Sequence, residues 1–121
     1  MKRIDAVIMP SRLSEVKERL SSIGIDGVTA AEVIGFGPQQ RHTERYRGRE
    51  YSVDFLPEIL LTVVASDDRV AQIVNTIIEG SQTGKIGDGK IFVAQLDEVI
   101  RIRTGERLRD NVIEEQLACS L

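Results

Sequence analysis

An α+β sandwich, with one four-stranded sheet and two helices packed on the same face, is the fold class this sequence predicts. Two observations predict it. A strand, an amphipathic helix and a second strand follow one another within about 40 residues, and that order then recurs. Between the two halves lies a charged segment, residues 37–54, with few apolar groups to anchor it. At 121 residues the chain reads as one domain, 1–121, in a ferredoxin-like double strand–helix–strand arrangement with a long protruding loop.

The elements follow in order. Arg3-Ile4-Asp5-Ala6-Val7-Ile8-Met9 is apolar and partly β-branched, so it predicts a first strand, which Pro10 ends because proline donates no ladder hydrogen bond. Ser11 is placed to cap a helix running to Ile23, with Leu13, Val16, Leu20 and Ile23 forming its buried stripe. Gly24 suits the left-handed stop after it. Residues 28–34 predict the second strand. In the second half, Ile59 to Ala65 is an apolar strand, and Ser66 or Asp67 can cap a helix carrying Val70, Ile73, Val74, Ile77 and Ile78. Gly80 is expected to close that helix, and Lys90 to Leu96 to form the fourth strand. The sheet face away from the helices has no covering element, so self-association is the expected way to bury it.

The 37–54 loop is too long for an ordinary connection, since compact domains rarely keep structureless loops beyond about 12–15 residues. It carries Arg41, Arg45, Arg47 and Arg49 among Glu44 and Glu50, with Tyr46 and Tyr51 as favoured contact residues. Such a segment is expected to stand out from the body and order on a partner. A solvated, tolerated insertion is the plainer alternative.

Thr83-Gly84-Lys85-Ile86-Gly87-Asp88-Gly89-Lys90 carries the chemistry. Three glycines in six positions leave main-chain N–H groups open to an anion, with Lys85 and Lys90 as mobile charges at either end. Gly84-x4-Gly89-Lys90 resembles a nucleotide P-loop, yet Ile91 stands where the magnesium-holding hydroxyl belongs, and a strand follows instead of a helix. A P-loop hydrolase is therefore not the reading. Further on, Arg101-Ile102-Arg103 would set both guanidinium groups on one face of an extended chain. A glycine turn with merely solvating lysines is the competing explanation, and the arginine pair weighs against it. The tail beyond Asn111 reads equally as a short helix or an unfolded end.

Composition bounds the rest. A net charge of −3 gives no whole-molecule attraction to nucleic acid. No apolar run approaches the ~20 residues that span a bilayer, so membrane insertion is not expected. The single cysteine, Cys119, makes no intrachain disulfide and fits a cytoplasmic protein. One cysteine and one histidine, His42, are too few for a protein-only structural zinc site. Asp67 and Asp68 fit a helix start better than an acid–base pair. No nucleophile–base constellation emerges, so the expectation is a phosphate or nucleotide sensor and not an enzyme.

These motifs together resemble the PII-type nitrogen-regulatory signal proteins over nearly the whole chain. The resemblance rests on Gly35-Phe36-Gly37, His42-Thr43-Glu44, Tyr46-Arg47-Gly48, Glu50-Tyr51, Asp54-Phe55-Leu56-Pro57, residues 83–93, and Ile100-Arg101-Ile102-Arg103-Thr104-Gly105-Glu106. It implies a cytoplasmic homotrimer that binds ATP or ADP, with AMP as a further candidate, between subunits. It implies that Gly87, Asp88, Gly89 and Lys90 hold phosphates, that Arg101 and Arg103 belong to the same site, and that Thr29, Gly37 and Val64 line the cleft. Gln39 matches the side-chain ligand of Mg²⁺, Tyr51 matches the tyrosine uridylylated in some members, and Arg45, Arg47, Arg49 and Tyr51 lie in the loop that meets a membrane transporter or a metabolic enzyme.

This chain departs from the family at chosen places. Glu58 stands where the family has the lysine that pairs with 2-oxoglutarate, turning attraction into repulsion. Pro38 replaces an arginine of the nucleotide site, Thr62 a glutamate, and Met9 a common arginine. The reading is therefore an adenine-nucleotide regulator in which 2-oxoglutarate sensing is doubtful. An interaction module for a transporter, with a vestigial cleft or one tuned to another small anion, is the second reading.

Overall fold

In the computed structural model, β1 (Lys2–Ile8) alternates buried Ile4, Ala6 and Ile8 with half-buried or exposed Arg3, Asp5 and Val7. That period of two marks a strand with one face in the core. The structure describes residues 1–36, 42–46, 49–53 and 55–108. A single 3-10 turn over Pro10–Arg12 leads into α1 (Leu13–Ser22), then come β2 (Thr29–Phe36), β3 (His42–Tyr46), β4 (Arg49–Val53) and β5 (Phe55–Ala65). A second 3-10 turn, Asp67–Arg69, leads into α2 (Val70–Ser81), followed by β6 (Gly89–Gln95), β7 (Val99–Ile100) and β8 (Arg107–Leu108).

The sheet order is β2-β5-β1-β6 and every pairing is antiparallel. This is the expected ferredoxin-like α+β layout. Val16 and Leu20 of α1 and Ile73 and Ile77 of α2 are fully buried against Ile4, Ile8, Leu61 and Val63. Both helices therefore lie on one face of the sheet. Gly24, at φ +87°, ends the first helical segment as expected.

Three local expectations need correction. Ser11 does not cap α1, because Pro10 opens a 3-10 turn one step earlier and Arg12 takes the N-cap position without a side-chain cap. Ser66 and Asp67 do not cap α2 through their side chains either. The Ser66 hydroxyl donates to Asp68 Oδ1 at 2.6 Å, and Arg69 holds the N-cap position. Gly80 does not close α2 but sits buried inside it. A Cβ there would stand 3.0 Å from Val16 Cγ2 and 3.1 Å from the Val16 Cα, so glycine permits the close approach of α1.

The helix pair is instead locked by two arginines in equivalent places. Arg12, N-cap of α1, donates from Nε to the Gly80 carbonyl at the end of α2 at 2.9 Å. Arg69, N-cap of α2, donates from Nη2 to the Ile23 carbonyl at the end of α1 at 2.8 Å. Each cation thus meets the negative end of the opposite helix. The repeat seen in the sequence recurs as a pair of reciprocal contacts.

The protruding segment is not structureless where it is described. His42–Tyr46 and Arg49–Val53 pair antiparallel, with Arg45 opposite Glu50 and Glu44 opposite Tyr51. Opposite charges at facing positions favour a hairpin over an open loop. Gly37, Pro38, Gln39, Arg41, Arg47, Asp54, Cys119 and the rest of the tail lie outside the described residues. Among the described residues no helix is long and apolar enough to cross a membrane.

Candidate functional site

The loop between α2 and β6 has the left-handed backbone that its glycines predicted, with φ +83° at Gly84, +101° at Gly87 and +108° at Gly89. The glycines serve different ends. A Cβ on Gly84 or Gly87 would meet nothing within 4 Å, so the main chain there faces open space that an anion can approach. A Cβ on Gly89 would stand 1.8 Å from the Val7 carbonyl oxygen. Gly89 is therefore required by the tight β1–β6 pairing at Ile8 and Val7, whatever the loop binds.

Asp88 organises the loop from within. Its carboxylate accepts the N–H groups of Thr83 and Gly84, each at 2.9 Å, and a short hydrogen bond from the Thr83 hydroxyl. The Lys85 N–H donates to Thr83 Oγ1 at 3.3 Å. The Thr83 hydroxyl first and then the Thr83 amide, with lesser help from the Gly84 and Lys85 amides, hold the Asp88 carboxyl below the ordinary aspartate range against an opposing effect of desolvation. The three glycines alone imply main-chain amides open to an anion along the loop. The two nearest α2 are already engaged.

Lys90 follows on the sheet face that the helices leave uncovered, in the row Lys90, Val7, Leu60, Ala31. Beside it a groove of about 290 Å³ is lined by Val7, Ile8, Val74, Ile78, Asp88 and Ile91. That volume is at the low end for a ligand site.

Of the other described residues, Thr29 lies mid-sheet, two residues along from the Lys90 row, and Val64 toward the far end. Thr29 pairs with Thr62, which donates to Asp5 Oδ1 at 2.7 Å, and Val64 packs on the small cluster of Met1 and Leu108. That cluster holds the β7–β8 hairpin, and the Leu96 N–H bonds to the Met1 carbonyl at 3.0 Å. From Lys90 to Gln95 the strand advances roughly 17 Å at about 3.3 Å per residue, and Arg101 and Arg103 lie beyond. The Met1–Leu108 cluster beside the arginine turn therefore lies most of a strand's length from Lys90.

The arginine pair also differs from expectation in local structure. Residues 102–104 form a turn, closed by Gly105 N–H to the Arg101 carbonyl at 2.8 Å and Arg101 N–H to the Glu106 carbonyl at 2.9 Å. Gly105, at φ +70°, permits it. The same-face argument for an extended Arg101-Ile102-Arg103 therefore does not hold. Arg101 is mostly covered and its Nη1 lies 3.3 Å from Glu106 Oε2, whereas Arg103 is exposed.

Glu58 lies on the uncovered face opposite Val33 and is only 8% exposed. A Cβ on Gly35 would fall 2.5 Å from Glu58 Oε2, so the glycine makes room for the carboxylate over β2. Sequence reasoning saw the charge of Glu58 but not this cover. Tyr51, Arg45 and Arg49 occupy β3 and β4 register positions, while Gly37, Pro38, Gln39 and Arg47 are not among the described residues. No cluster of three or more histidine, cysteine or acidic side chains suited to a metal occurs among the described residues.

The comparisons with known proteins agree with one another. A family model described as Nitrogen regulatory protein P-II matches residues 1–106. Nitrogen regulatory protein P-II of Pasteurella multocida is 54% identical over 112 residues, covering 93% of this chain and 100% of the relative. Nitrogen regulatory protein P-II 1 of Escherichia coli K12 is 58% identical over 106 residues, covering 88% and 95%. The crystal structure of Arabidopsis thaliana PII bound to citrate aligns with a TM-score of 0.70 at 40% identity, covering 88% of this chain and 83% of that one.

Proposed function

This chain belongs to the P-II family of nitrogen regulatory proteins, and from that premise we propose that it is a regulator reading adenine nucleotides at seams between identical subunits. Gly87, Gly89 and Lys90 of one copy hold phosphates, while Thr29, Val64, Arg101 and Arg103 of the next copy close the cleft. Gly37, Pro38 and Gln39 flank it, with Gln39 as the side chain that would hold Mg²⁺. The single observation that carries this reading is the separation just described. Lys90 sits toward one end of an uncovered sheet and the Val64–Leu108 region beside the arginine turn toward the other, so a head-to-tail ring would bring the two together. The same ring buries Phe92, which is 54% exposed in the single chain.

The open main chain at Gly87 and the adjoining Lys90 fit a polyphosphate in particular. ATP and ADP are the leading ligands, with AMP a weaker one because it offers a single phosphate to this cradle. The covered Glu58 carboxylate, an anion on the same face, argues against 2-oxoglutarate. The 42–53 hairpin, with Arg45, Arg49 and Tyr51, is the surface that meets a membrane transporter or an enzyme of nitrogen metabolism, and Tyr51 is the candidate for modification. Calorimetric titration with ATP, ADP and AMP, with and without Mg²⁺ and 2-oxoglutarate, tests the reading. Micromolar binding of ATP or ADP supports it, and no heat from any nucleotide at millimolar concentration removes it.

A second reading has one observation in its favour. The Arabidopsis relative holds citrate, so the cleft of this chain can be tuned to another small anion while the hairpin serves as a plain interaction module. Citrate binding in the absence of nucleotide binding would favour this reading.

A further inference from the structure

The glycine loop is closed on itself by Asp88. Its carboxylate takes the N–H groups of Thr83 and Gly84 and the Thr83 hydroxyl, all within six residues of chain. Packing does not hold the carboxylate there, because Thr83, Gly84 and Lys85 are exposed and the aspartate itself is partly so. Its hydrogen bonds do. A polyphosphate arriving at the loop wants the same kind of donor, and two anions cannot share them.

One outcome is that phosphate displaces Asp88 and takes the Thr83 and Gly84 amides. The released carboxylate would then stand two residues from Lys90, without its donors and beside the incoming charge. The other outcome leaves the Thr83–Asp88 tie in place and lets phosphate use the main chain on the far side, where Gly87 faces open space. The second leaves no anion without donors. We propose that Asp88 is a positioning residue and not a phosphate ligand, with Thr83 as its partner. The tie fixes the turn that presents Gly87 and Lys90, and it persists when the cleft is filled. The shape of the loop is a property of the free chain, whereas the phosphate half rests on the nucleotide reading above.

Amide hydrogen exchange on the full chain, with and without ATP, tests this alongside titration of ATP. The Thr83 and Gly84 amides are expected to be protected in the free protein and to stay protected with ATP bound. Asp88→Asn replaces an acceptor oxygen by a donor, and Thr83→Val removes the hydroxyl. Each should lower that protection and weaken ATP binding roughly tenfold, the size expected for one net hydrogen bond. Thr83→Ser keeps the hydroxyl and should restore both. Equal protection in the parent and Asp88→Asn proteins overturns the tie. Loss of protection on adding ATP, or tighter ATP binding by Asp88→Asn, overturns the positioning role by showing displacement or simple repulsion. A parent protein with protected amides that takes up no ATP overturns the nucleotide reading and the phosphate half of the proposal, and leaves the tie standing.

Discussion

Replacing Gly89 by alanine separates the demands of the sheet from the demands of a ligand. The new Cβ would lie 1.8 Å from the Val7 carbonyl oxygen, against an ordinary carbon–oxygen contact of about 3.2 Å. The obstacle is backbone, so no side chain can swing aside. The φ of +108° adds about 1–2 kcal/mol for any residue with a Cβ. Relief requires β6 to part from β1 near Ile8 and Val7, forfeiting one or two ladder hydrogen bonds worth roughly 1 kcal/mol each. The expected loss is therefore about 3 kcal/mol. Gly84→Ala is the control, since it carries a φ of +83° but a Cβ in open space, and should lose about 1 kcal/mol. Urea denaturation of both variants at equal protein concentration measures the difference. Equal losses would refute the close approach of β1 and β6 as the reason for a glycine at this position.

Further predictions follow from the same geometry. Arg12→Ala and Arg69→Ala each remove a charged hydrogen bond to the far helix end, and each should cost about 1–2 kcal/mol in denaturant unfolding. Because the two contacts lie at opposite ends of the helix pair, their losses should add, and strong coupling would show that they act as one unit. Phe92→Lys places a charge on the uncovered face, so light scattering should record the oligomer falling to single chains; an unchanged mass would remove that face from the seam. The Asp88 tie has a pH dependence of definite sign. Its folded value is depressed, so the tie is fully present above the ordinary aspartate range and is lost as pH falls through the lower folded value. Protection of the Thr83 and Gly84 amides should follow that fall, and protection that persists to still lower pH would show that the carboxylate is not its source.

Much of the fold was legible because hydrophobic period and glycine placement are local signals. The stripe of Val16 and Leu20 and the stripe of Ile73 and Ile77 each mark a buried helix face without reference to anything distant. Gly24 reads correctly for the same reason. Gly80 misleads because its cause is the neighbouring helix, a contact between residues 16 and 80 that no local pattern encodes. Arg101-Ile102-Arg103 misleads differently. Its β-branched Ile102 favours a strand, yet hydrogen bonds across residues 101–106 and the left-handed Gly105 fold it into a turn. In the site, the glycine loop and its lysine were visible, while the Asp88 tie and the cover of Glu58 over Gly35 depend on side-chain reach. The placement of Lys90 and of the β7–β8 turn toward different ends of the sheet follows from strand register, which no local pattern encodes.

That division makes one measurement decisive. Lys90→Ala protein and Arg101→Ala/Arg103→Ala protein should each lose ATP binding in a titration. Unfolded together and refolded as mixed rings, they should recover it at roughly a quarter of the seams, because some seams then join an intact lysine to intact arginines on the next copy. A mixture that binds no more ATP than the two variants apart would contradict a site shared between neighbouring chains.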